Sequence, residues 1–90
     1  MLKIRRSEAL GQVILVLSGR IEKQQVSELQ ELLQAEIPGA QIALDLEEVR
    51  LVDREAVKFL ATCEARGVRL KNPPPYIRKW IDTGSDVGHE

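Results

Sequence analysis

The order of apolar patterns along the 90-residue chain predicts a two-layer α/β fold. Its centre is a four-stranded mixed sheet, a hairpin followed by parallel strands, with helices mainly on one face. Three observations carry this reading. Two apolar stretches near the N-terminus, Leu2–Arg6 and Val13–Leu17, are close enough to pair as a hairpin. A strand, a helix and a strand then succeed one another up to Leu46, which is the order of a right-handed crossover with parallel strands. The stretch Gln41–Arg66 finally reads as a buried strand, a short acidic connection and a helix opened by Asp53.

Leu2-Lys3-Ile4-Arg5-Arg6 alternates apolar and basic residues, the pattern of a half-buried strand whose outward Lys3 and Arg5 guard an edge. Ser7–Gln12 contains Gly11 and is expected to turn the chain back. Val13–Leu17 is aliphatic at every position and is expected to be a central strand, released from the sheet at Ser18-Gly19. Over Gln24–Glu36 the residues Val26, Leu29, Leu32 and Leu33 share one helical face, and Pro38-Gly39 is expected to stop the helix. Gln41–Leu46 places Ile42, Leu44 and Leu46 on one side of a strand, with Ala43 and Asp45 on the other.

Asp53 is expected to cap a helix that runs to about Arg66, with Gly67 ending it. Val57, Leu60, Ala61 and either Cys63 or Glu64 mark its inner side, with Ala56 near the top. Val68–Lys71 alternates again as the second edge strand. Pro73-Pro74-Pro75 is a stiff spacer, and Tyr76–Asp82 a short helix with Ile77, Trp80 and Ile81 on one face. Residues 1–82 are therefore expected to form a single domain and 83–90 a flexible C-terminal tail. The face bearing Ile14, Val16, Ala43 and Asp45 is less apolar than its opposite and is expected to be only partly covered.

Composition narrows the function classes. The net charge of −1 provides no global field for nucleic acid or anionic lipid. The basic run from Arg66 to Lys79 is accounted for by edge-strand alternation and an outer helix face, so no nucleic-acid partner is expected. No apolar run reaches the roughly 20 residues of a membrane span, and a single cysteine fits a reducing compartment. The expected location is the cytoplasm, with no membrane partner. Cys63 is read as a small buried residue, with Arg66 near enough to leave a reactive thiol open. One histidine and one cysteine make neither a metal site nor a nucleophile–base pair, so no metal, cofactor or catalytic residue is expected.

The segments LSGRIEKQQVSELQELL, IALDLEEVRLVDREAVKFL and GVRLKNPPPYIRKWI resemble, in that order, a STAS domain, and the resemblance runs from Leu2 to about Asp82. It implies a protein-binding module of the kind found in bacterial anti-sigma factor antagonists and in the cytoplasmic part of sulfate-type transporters. In such antagonists the helix-opening Asp precedes a serine phosphorylated by a kinase-like anti-sigma factor. Here that position is Arg54, Glu55 follows, and Ala56 stands where glycine is frequent. With no hydroxyl at positions 53–57, phosphorylation at that site is excluded by chemistry. The wording is similar to that of short, single-domain bacterial STAS-like proteins that share Asp-Arg-Glu-Ala and Pro-Tyr-Ile-Arg.

The expected partner-binding surface is therefore Asp53, Arg54, Glu55 and Ala56 with Glu48 and Arg50 of the preceding loop Glu47–Val52, extending to the Ser18–Lys23 entry to the first helix. Beside it stands the plain structural reading, in which Asp53 is a cap and Arg54 a solvated arginine offset by Asp53, Glu55, Glu47 or Glu48. The partner implied is a protein, with the kinase-like anti-sigma factor as the family's example. Two other classes remain open: a small-ligand or nucleotide domain holding an anion at the helix N-terminus, and a homo-oligomeric assembly subunit, including a homodimer through the less covered sheet face.

Overall fold

The computed structural model describes residues 2–36 and 39–83. Four strands, β1 (Leu2–Ala9), β2 (Gln12–Ile21), β3 (Gln41–Val52) and β4 (Arg69–Lys71), form one sheet in the order β1-β2-β3-β4. β1 and β2 are antiparallel, and β2, β3 and β4 run parallel. The helices are α1 (Lys23–Gln34), α2 (Arg54–Ala65) and α3 (Pro75–Thr83). Both crossovers advance in the same direction across the sheet, so their shared handedness puts α1 and α2 on the same face. The expected fold is the one observed.

The core forms where that helix layer meets the sheet. Val13, Leu15 and Leu17 of β2, Leu44 and Leu46 of β3, and Ala56, Val57, Leu60 and Cys63 of α2 are all buried there. Phe59 also joins it, a residue the helical spacing had not placed inside. α1 is more superficial than expected: Leu29 alone is fully buried, Val26 and Leu33 are partly so, and Leu32 lies exposed. The helix also ends at Gln34, short of Pro38, which lies outside the described residues.

β1 extends to Ala9, so the turn is only Leu10-Gly11. Both turn residues have positive φ, 53° and 77°, the signature of a type I′ hairpin whose twist matches that of its strands. Arg6 faces the helix layer, and its guanidinium holds the Glu36 carboxylate at 2.9 Å, tying the hairpin to the end of α1. That contact keeps the Glu36 carboxyl below the usual carboxylate range.

The largest departure is in β2 and β3. Ser18-Gly19 does not release the chain, and Glu47–Val52 is not a loop; these segments stay paired, through Ser18 with Glu48 and Ile21 with Val52. The register slips between Val16 and Ser18 and again between Gly19 and Arg20, with the extra residue on β3 each time. Each bulge flips the alternation, so the inward residues are Leu46, Val49 and Val52, three apart. A spacing of three hides a strand from any period-two pattern. Gly19, at φ 106°, carries β2 through the irregularity.

α2 ends as its sequence predicts. The N–H of Val68 donates to Cys63 O at 3.0 Å and that of Gly67 to Glu64 O at 3.1 Å, a Schellman closure with Gly67 at φ 100°. α3 begins at Pro75 and packs Ile77 and Ile81 into the core. Arg78 forks onto Glu64 of α2 with bonds of 2.9 and 2.7 Å and so lowers the pKa of that carboxyl. The expected tail beyond Thr83 lies outside the described residues.

Leu10 is a branched, fully solvent-exposed residue in the left-handed region, where it costs about 1 kcal/mol. Leu10→Asn, which creates the preferred Asn-Gly turn, is expected to raise Tm by about 4–8 °C in a thermal melt. An unchanged or lower Tm would contradict the turn geometry.

Candidate functional site

β2 and β3 are parallel, and each leads directly into a helix. The N-termini of α1 and α2 therefore lie side by side at the carboxyl end of the sheet, where open α/β folds place their sites. Asp53 sits between them. Its Oδ1 accepts the Ala56 N–H at 2.9 Å, the cap of α2. Its Oδ2 accepts the Lys23 N–H at 2.8 Å, in the first turn of α1. The Asp53 N–H donates to Ile21 O at 3.2 Å, closing the β2–β3 end. One carboxylate thus satisfies donors of two helices and places a negative charge at two positive helix ends. The sequence predicts the α2 cap; the bond to α1, thirty residues away, leaves no mark on local spacing. α1 adds a local bond of its own, from the Glu22 N–H to Gln25 Oε1 at 3.0 Å.

The six expected site residues separate into two groups. Asp53 is half-buried, and Arg54 and Glu55 are exposed beside it. Arg54 makes no ion pair among the described residues, so none of the four acids offered as its neutralising partner is within salt-bridge distance. Ala56 is fully buried, and its N–H is taken by Asp53; it packs the helix onto the core and offers no side-chain surface. Glu48 and Arg50 belong to the bulged part of β3, not to a loop, and line a shallow depression with Lys3, Ser18 and Gly19. Lys23, exposed on α1, is the residue that joins Asp53, Arg54 and Glu55 at the tip.

Two further features bear on chemistry. Burial pushes the Cys63 thiol up to about 11, the nearby Arg66 only partly opposing it, which disfavours the thiolate at neutral pH. Tyr76 is 42% exposed and stands edge-on to half-buried Trp80 at 6.0 Å. Its hydroxyl donates to Arg50 O, fixing α3 against the second bulge of β3.

The family model described as "Mlab, STAS domain" matches residues 4–82. The chain belongs to the STAS domain family. No curated protein matches it. Among solved structures, the unphosphorylated anti-sigma factor antagonist SpoIIAA is 18% identical with a TM-score of 0.65, over 91% of this chain and 84% of that one. A structure of Mglu is 22% identical with a TM-score of 0.61 over 74% of this chain, which spans only 18% of that larger protein. An uncharacterized DUF3478-family protein with a SpoIIAA-like fold, from Shewanella loihica PV-4, is 13% identical with a TM-score of 0.53, covering 77% of this chain and 65% of that one. At these identities the likeness is one of fold. Within this STAS domain no described helix is long and apolar enough to cross a membrane.

Because Asp53 caps two helices, Asp53→Ala is expected to cost about 2 kcal/mol in urea unfolding, roughly twice a single cap. Asp53→Asn keeps one acceptor oxygen and is expected to lose about half as much. A loss of only a few tenths of a kcal/mol in Asp53→Ala would remove the bridge from the account.

Proposed function

We propose that this STAS domain is a non-enzymatic protein-interaction module, related in mode to anti-sigma factor antagonists but without their phosphorylation switch. Its docking surface is the tip made of Lys23, Asp53, Arg54 and Glu55. The observation that carries the reading is Arg54: an exposed guanidinium, unpaired among the described residues, at the position the family resemblance assigns to serine. A guanidinium there offers a bidentate donor to a partner carboxylate. Asp53 holds the backbone beneath it from two sides, so little ordering entropy is lost on docking. Binding is independent of the family's serine switch, since no side chain in positions 53–57 carries a hydroxyl.

The small-ligand reading has less support. The Asp53 carboxylate already occupies the place between the two helix ends where an anion would bind, and would repel one. The partner is a protein of the kinase-like anti-sigma class or one that presents a comparable acidic surface, met in the bacterial cytoplasm.

Affinity capture from the native cell with wild type and Arg54→Glu tests this. One or more proteins should be retained by wild type and bound at least about tenfold more weakly by the charge reversal, equivalent to about 1.4 kcal/mol. Identical capture by the two forms would refute a role for the tip.

A further inference from the structure

The helix layer covers one face of the sheet and leaves the other open. Register shows which residues share that open face. Ser7, Ile14, Ala43 and Arg69 form one row across all four strands, and Arg5, Val16, Asp45 and Lys71 form the next. Lys3, Ser18 and Glu48 follow in a third. The apolar part of the centre is Ile14 and Val16, which are half-buried, and Ala43, which is fully buried; Ser18, Asp45 and Glu48 share the two central strands with them. Both edges are basic, with Lys3 and Arg5 on β1 and Arg69 and Lys71 on β4. All four are exposed, and none forms an ion pair among the described residues. Of the two acids present, Asp45 is engaged by the Glu47 N–H at 3.1 Å.

A chain of net charge −1 thus concentrates unpaired cations along two parallel borders of a face whose apolar patch is Ile14, Val16 and Ala43. Edge-strand protection accounts for a lysine or arginine on each border, but not for the apolar patch left between them. At about 4.8 Å per strand the borders lie about 14 Å apart. That separation suits an α-helix of about 10–12 Å diameter laid along the central strands, its apolar stripe on Ile14 and Val16 and acidic residues on both flanks. We infer that the open sheet face is a second docking surface, and that its occupant is an acidic amphipathic helix of a partner protein.

The same features disfavour other occupants. Val16 lies at the floor of a shallow depression of about 480 Å³ bordered by Lys3 and Arg5, a concavity that a flat bilayer would not fill. Nucleic acid would meet no aromatic platform, because Phe59 is in the core and Tyr76 and Trp80 are on α3. A second copy joined face to face would set the basic borders against themselves.

The test uses a synthetic helical peptide with a leucine stripe flanked on both sides by glutamates, followed by fluorescence anisotropy at low and high salt. Wild type should bind it, more weakly as salt rises. Arg5→Glu/Arg69→Glu should weaken binding by at least about tenfold, and Arg5→Gln/Arg69→Gln, the milder pair should the reversal disturb folding, by a smaller factor. Lys58→Glu, a reversal on α2, should leave binding unchanged. Failure of wild type to bind, or equal binding by the double variants, overturns the inference. So does sedimentation with phosphatidylglycerol vesicles in place of peptide binding, or a wild-type dimer that the double reversal dissociates. None of these outcomes depends on the tip at Arg54, so the two proposals fail independently.

Discussion

The carboxylate of Asp53 is the interaction on which the joined helix starts of this molecule depend. Parallel strands bring two helix starts together at one edge of the sheet, and each start presents N–H groups with no partner inside its own helix. Side by side, the two positive ends also repel. A single aspartate answers both problems by accepting one N–H from each helix. The two helix starts are thus joined by a bond pattern and not by bulk, with Arg54 exposed beside the shared cap.

Much of this was legible in the sequence, and the failures have a common cause. Strand order, helix order, the Asp53 cap and the Gly67 stop all depend on local patterns or short-range turn chemistry, and these were found as expected. Glu47–Val52 reads as a loop in the sequence because two bulges stretch its inward spacing from two residues to three. A bulge is a property of a pair of strands, and a single strand's sequence carries little trace of it. The bond from Lys23 to Asp53 escaped for the same reason, as it joins residues that only the crossover brings together. Ala56 shows the limit of reading sites from a contiguous motif: it lies beside Arg54 in the chain yet on the core side of the helix.

The bulges also explain why the expected site divides. They turn Glu48 and Arg50 toward the depression beside Lys3, while Asp53, Arg54 and Glu55 stay with the helix starts. The molecule therefore has two separate surfaces with different chemistry. The tip is a small, capped, polar platform; the open sheet is a small apolar patch at Ile14, Val16 and Ala43 with basic borders. On the two proposals above, the domain joins two proteins, since neither surface has to be remade for the other to be used.

Native-state hydrogen exchange at the Lys23 and Ala56 amides tests the shared cap most directly. In wild type both protons should be protected, and in Asp53→Ala both should exchange faster together, although they belong to different helices. If Ala56 alone loses protection while Lys23 exchanges as before, Asp53 serves one helix only and the joined two-helix tip does not exist.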